Sequence, residues 1–247
     1  MKSFFVFKFL SLLTISASVF AHTQSYNDAA MGSDELGIPE PLIFDLVRPL
    51  GSPKGELEVN LFANESAEDK TLAWSPEIEY VFADGYAIEL ELPYSNTTLQ
   101  EFKIALQGTF GTLMQGQMIH GWQVIARKGL GAQMNAGDLL YLNGSRLSSR
   151  LSTMNMVGLR KSMFESGSGY TKLVNSAWFY DASPNYTLGV EINNEVDRQG
   201  HWRYRLTPQI HFSIKKHVSF QVGVGPSTLN KAKNTDWILA SRLSYSF

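Results

Sequence analysis

The first residues to ask about chemistry are His211 and Ser213, two apart on one face of an alternating stretch. With a nearby carboxylate such a pair could hydrolyse lipid esters by nucleophilic attack. A His-x-Ser pair on a strand often arises by chance, and no neighbouring sequence supplies a third member, so no catalytic residue is expected. The five histidines, His22, His120, His201, His211 and His217, fall on separate elements without the spacing of metal ligands. No Gly-rich phosphate loop occurs either, so neither metal nor cofactor is expected.

Charged side chains are the other candidates. Glu56, Glu58, Glu77, Glu79, Glu89, Glu91 and Glu101 come from the first part of the chain, whereas Arg146, Arg150, Arg160, Arg203, Arg205 and Arg242 come later. What this segregation does depends on the elements that carry it. From Lys54 onward the dominant period is two, the mark of strands with one apolar and one polar face. Trp202, Tyr204, Leu206, Pro208, Ile210, Phe212 and Ile214 alternate with Arg203, Arg205, Thr207, Gln209, His211 and Ser213. Val218 to Val224, Tyr186 to Ile192, Tyr86 to Tyr94 and Trp237 to Phe247 behave alike, while the middle, from Gly116 to Phe164, is less regular.

Counting these stretches predicts about twelve strands, at 54–63, 73–82, 86–94, 98–110, 116–127, 138–148, 150–163, 171–180, 185–197, 201–214, 217–226 and 236–247. The fold class expected is all-β, a transmembrane antiparallel up-and-down barrel. An even count puts both barrel ends on the periplasmic side, and the connections mostly alternate in length as that requires. Ser95 to Thr97 is too short for an outer loop. Aromatic residues sort by strand end, Trp74, Tyr94, Trp202 and Trp237 outward and Phe82, Tyr86, Tyr186, Phe212, Phe220, Tyr245 and Phe247 inward, as interfacial girdles do. Pro76, Pro93 and Pro208 each remove a ladder donor, so bulges are expected there.

The start of the chain sets the compartment. Lys2 precedes and Lys8 interrupts the apolar stretch Phe4 to Val19, which closes on Val19-Phe20-Ala21, the pattern of a secretory signal cleaved after Ala21. Residues 1–21 are thus read as signal peptide, 22–53 as a periplasmic extension or plug-like segment broken by Pro39, Pro41, Pro49 and Pro53, and 54–247 as the barrel. Beyond the first residues no apolar run is long enough for a helical span. The chain has no cysteine, so a closed hydrogen-bonded wall must supply the stability that disulfides give other exported proteins. A net charge of −2 with dispersed basic residues leaves no footprint for nucleic acid.

Two resemblances add to this reading. Leu243, Tyr245 and Phe247 end the chain on an alternating aromatic strand, which resembles the signal by which the barrel assembly machinery recognises outer-membrane barrels of Gram-negative bacteria. The acidic hairpin Ser75-Pro76-Glu77-Ile78-Glu79-Tyr80 followed by Ile88-Glu89-Leu90-Glu91-Leu92-Pro93 resembles the phenol meta-pathway transporter type of outer-membrane barrel. That resemblance implies passage of small solutes, including hydrophobic or aromatic compounds, and carries over no functional residue.

In such a barrel Glu56, Glu58, Glu77, Glu79, Glu89, Glu91 and Glu101 would form one wall of the lumen and Arg203, Arg205 and Arg242 part of the other. Walls held apart by water make a diffusion channel. Walls that meet make a salt-bridged, non-conducting structural barrel. The partners expected are outer-membrane lipid, the assembly machinery and an unidentified small solute.

Overall fold

The computed structural model describes residues 36–44, 46–130, 135–164, 167–229 and 234–247. The proposed signal peptide and the first part of the proposed extension lie outside the described residues. Fourteen strand segments follow in chain order: β1 (Leu57–Ser66), β2 (Leu72–Ala83), β3 (Tyr86–Glu91), β4 (Tyr94–Ser95), β5 (Thr98–Leu99), β6 (Glu101–Leu113), β7 (Met118–Gly129), β8 (Asn135–Arg146), β9 (Leu151–Phe164), β10 (Gly167–Ser183), β11 (Tyr186–Asp197), β12 (Trp202–Lys215), β13 (Val218–Ser227) and β14 (Asp236–Ser246). β3 and β4 form one interrupted wall strand, and β5 and β6 another, which leaves twelve strands around the wall.

Every pairing is antiparallel between neighbours in sequence, and β1 pairs with both β2 and β14. Val59, for instance, lies opposite Ile78 on one side and Tyr245 on the other. Closure leaves no edge strand, so the wall's backbone groups pair with the strands on either side except where a proline interrupts the ladder. β1 begins and β14 ends at the same end of the barrel, called here the near end; the opposite is the far end.

Alternation decides which side chain faces where. Val59, Leu61, Ile78, Leu90, Ile104, Leu106, Leu159, Val174 and Leu243 point outward and are exposed, a continuous apolar belt. Glu58, Asn60, Glu79, Glu89, Gln107, Gln123, Glu191 and Arg242 point inward and are buried. Trp74 and Tyr94 stack at the far rim, while Tyr186, Phe212 and Phe220 form a row at the near rim. This sorting matches the girdles expected from the sequence.

The prolines depart from expectation. Pro76 and Pro208 cause no shift of register: β2 keeps step with β1 through Leu61 opposite Pro76, and β11 with β12 through Val190 opposite Pro208. The missing donor simply interrupts the ladder on the other flank, between Arg205 and Gln209 of β12 in the second case. Only at Pro93 does the register slip by one residue, between Glu91 opposite Lys103 and Tyr94 opposite Leu99. The other shifts, at Val81/Ala83, Thr109/Gly111, Asp181/Ser183 and Ser213/Lys215, sit beside near-end turns, where strong twist favours a bulge.

Candidate functional site

The lumen is built around residues 36–53, which lead into β1 from inside the barrel. Phe44, Leu46, Val47 and Leu50 are buried against inward side chains of β2, β3 and β6 to β10, including Val81, Ala105, Ile125, Leu142, Met156 and Phe179, and Leu42 is buried beside Gly223 of β13. Apolar side chains facing inward on both partners give a dry core where a wide pore would hold water.

Polar anchors fix this segment at intervals. At its start, the Arg146 guanidinium donates to the carbonyl oxygens of Leu36 and Gly37 and pairs with Asp181 at 2.7 Å. At mid-height, the two oxygens of the Glu191 carboxylate accept the backbone N–H groups of Ile43 and Phe44 at 3.0 and 2.7 Å. On the return, Gln107 accepts from Val47 N–H at 3.2 Å and donates to Arg48 O, and Thr109 Oγ1 accepts from Gly51 N–H. The segment is therefore a loop that enters at the near end, rises to the level of Glu191 and comes back to the near end. Wall glycines make room for it. A β-carbon on Gly144 would lie 2.7 Å from Ile38 Cδ1, and one on Gly121 2.7 Å from Leu50 Cδ2.

The predicted acidic wall does not look across water at a basic one. Arg48 of the lumen segment pairs with Glu56 at 3.0 Å and Glu58 at 2.5 Å, with Glu79 at 3.8 Å. Burial works against the charge on Arg48, but Glu40, Glu58 and Glu79 outweigh it and hold its pKa above the ordinary guanidinium value. Glu89 and Glu91 pair with Lys103 on the adjoining strand. Glu77 accepts a hydrogen bond from Ser75. Glu101 pairs with Arg127 at 3.0 Å, and the network continues through Asp138 and Arg160 to Glu195 and Arg203. Arg205 donates to Thr207 Oγ1, and Arg242 lies over the Phe62 ring at 5.7 Å. Most of these contacts are made with an adjoining strand or with the lumen segment, while Glu77 and Arg205 hydrogen-bond within their own strands and Arg160 reaches Glu195 past β10.

The hydrolase pair fares differently. His211 meets Gln209 Oε1 at 3.2 Å and packs its ring on Phe179, and Ser213 is exposed two positions nearer the rim. Among the described residues no carboxylate is hydrogen-bonded to His211. Sequence reasoning passed over Arg48, Lys103, Arg127, Asp138, Glu191 and Glu195. The signal for Arg48 was present, as a lone cation inside the apolar run Leu42 to Leu50.

Above Phe44 the lumen opens into a cavity of about 140 Å³ facing the far end. Its floor is apolar, with Ile43, Phe44, Ile125, Leu140, Met156 and Leu173, and its rim carries Arg127, Arg160, Asp138, Asn175, Asn193 and Glu195.

A family model described as HAEPLYID-like matches residues 36–111, a stretch that takes in the lumen segment and the strands β1 to β5 with most of β6. No curated protein matches the chain in sequence. Among solved structures, the KdgM porin is similar at a TM-score of 0.61 and 13% identity, over 77% of this chain and 99% of its own. The NanC porin gives a TM-score of 0.63 at 6% identity, over 76% of this chain and 98% of its own. The COG4313 outer membrane channel from Pseudomonas putida F1 gives 0.62 at 11% identity, over 83% of this chain and all of its own. The chain has the fold of outer-membrane porins and channels.

Proposed function

We propose that the chain is an outer-membrane channel for small solutes whose periplasmic half is closed at rest by residues 36–53. The observation that carries this reading is the lumen segment itself, held by discrete hydrogen bonds at Arg146, Glu191, Gln107 and Thr109 inside a wall already closed without it. A barrel needing only rigidity has its ladder for that. A segment latched by a few side chains has a second position available to it.

The apolar belt and aromatic rims suit a bilayer, and the near end, carrying both barrel termini, is the periplasmic side of an even-stranded barrel. The exposed pair Tyr245 and Phe247, rings 4.8 Å apart, suits recognition by the assembly machinery. Small hydrophobic or aromatic compounds are the fitting cargo. The far-side cavity of about 140 Å³ compares with the roughly 150 Å³ apolar cavity that accepts a benzene ring, and its charged rim would orient one polar substituent. With His211 turned to Gln209 and Phe179, the reading includes no enzymatic activity.

The second reading, a non-conducting structural barrel, is favoured by the ion pairs that join Arg48 to Glu56, Glu58 and Glu79. Planar-bilayer recording from refolded, heat-modifiable protein separates the two. A channel shows sparse openings that become frequent when Glu191→Ala removes the latch. A folded barrel silent in both forms is the structural one.

A further inference from the structure

Along the outward face of the far half of the strands, the described residues carry charge at four positions: Glu65 on β1, and Lys128, Lys161 and Lys172 on β7, β9 and β10. The lysines fall in one sector. Their direction follows from alternation, since Lys128 continues the row Val124–Ala126, Lys161 the row Val157–Leu159, and Lys172 precedes Val174. All three are exposed.

The register places them. Lys161 lies opposite Tyr170 and Lys172 opposite Leu159, so these two are diagonal neighbours about 7–8 Å apart. Lys161 also lies opposite Gly137, and Gly137 opposite Ala126, which puts Lys128 two strands over and about 12 Å from Lys161. The strand between presents only Asn135 and Gly137, so the surface dips there. Lys161 Nζ sits 5.8 Å from the Tyr170 ring centroid, and among the described residues none of the three lysines has a carboxylate partner.

Three ammonium groups that repel one another, gathered above an apolar wall, call for a polyanion with an apolar body. An outward lysine is costly at a bilayer midplane and costs little near the interface, so at this height the three sit at headgroup level. We propose that this sector binds the phosphorylated headgroup of an outer-leaflet lipid, its acyl chains lying along Val124, Leu139 and Leu159. The proposal rests on the membrane-channel reading above.

The test uses the full barrel refolded into phosphatidylcholine vesicles doped with a bis-phosphorylated glycolipid, read by quenching of the barrel's tryptophans with a brominated form of that lipid. Enrichment of the lipid around the barrel is expected, with the Lys128→Gln, Lys161→Gln, Lys172→Gln triple variant weakened on the order of a hundredfold, about fivefold per lysine. Equal enrichment of the dephosphorylated glycolipid, or a triple variant that binds as well as the native chain, would overturn the site while leaving the channel reading intact. Displacement by millimolar inorganic phosphate would reassign the sector to free phosphate and overturn the lipid. A chain that fails to insert into the vesicles would overturn the membrane reading and the site with it.

Discussion

The carboxylate of Glu191 receives two consecutive backbone N–H groups, those of Ile43 and Phe44, at 3.0 and 2.7 Å, and so ties the crest of the lumen loop to β11. Asn193 Nδ2 donates to the same carboxylate at 2.8 Å and Gln209 Nε2 lies at 3.4 Å, so the acceptor is held in place before the loop reaches it. Four donors, two from the backbone of the loop and two from side chains of the wall, thus converge on one carboxylate.

Glu191→Ala is expected to free the crest of the loop while leaving the wall ladder whole. The open probability in planar bilayers should rise at least tenfold, and the barrel should keep its heat-modifiable migration. Glu191→Gln, which keeps the shape but replaces one of the two acceptor oxygens with an amide donor, should fall between the two.

Arg48 offers a separate check on electrostatics. Replacing it with Met leaves Glu58 and Glu79 buried without their cation, which should cost about 3–5 kcal/mol. The drop would appear as a lower denaturant midpoint for the refolded barrel. Adding Glu58→Gln and Glu79→Gln should return much of the loss, which a purely steric role for Arg48 would not allow.

How much of this was legible in the residues differs by element. The wall strands of the second half fall within a few residues of the alternation in Trp202 to Ile214, Val218 to Val224 and Trp237 to Phe247, because there apolar side chains face out and polar ones in. The stretch from 116 to 164 looked irregular for a physical reason. Its inward positions Ile125, Leu140, Leu142, Met154 and Met156 pack on the lumen segment, so both faces of those strands are apolar and the period fades. The lumen loop is broken by prolines and carries no period, and its partners lie up to 181 positions away in sequence. Sorting the charges by sign along the chain suggested opposed walls; the real pairs, such as Lys103 with Glu89, follow strand adjacency instead.

The outward belt predicts its own asymmetry. Leu106 lies midway along β6 and points out. Leu106→Arg should cost about 2–4 kcal/mol in lipid vesicles. The same change in a detergent micelle that deforms around the charge should cost less, and comparing unfolding midpoints in the two media checks it.

Gly144 lies beneath Ile38, and a side chain there must move the segment. Gly144→Ala brings its methyl within 2.7 Å of Ile38 Cδ1 and 3.0 Å of Met154 Cε, both flexible ends. A loss of about 1–3 kcal/mol and more frequent channel openings are expected. Ile38→Ala in the same chain should relieve both effects.

The most direct measurement pins the lumen loop to the wall. The chain has no cysteine of its own, so Ile38→Cys with Gly144→Cys introduces the only two thiols, at positions where a β-carbon on residue 144 would lie 2.7 Å from the tip of the Ile38 side chain. Oxidised protein carrying Glu191→Ala, recorded in a planar bilayer, should be folded and silent, and reduction in the chamber should release the frequent openings of the Glu191→Ala barrel. Equal conductance before and after reduction, with the cross-link verified by mass, would show that solutes pass without moving residues 36–53 and would contradict the account.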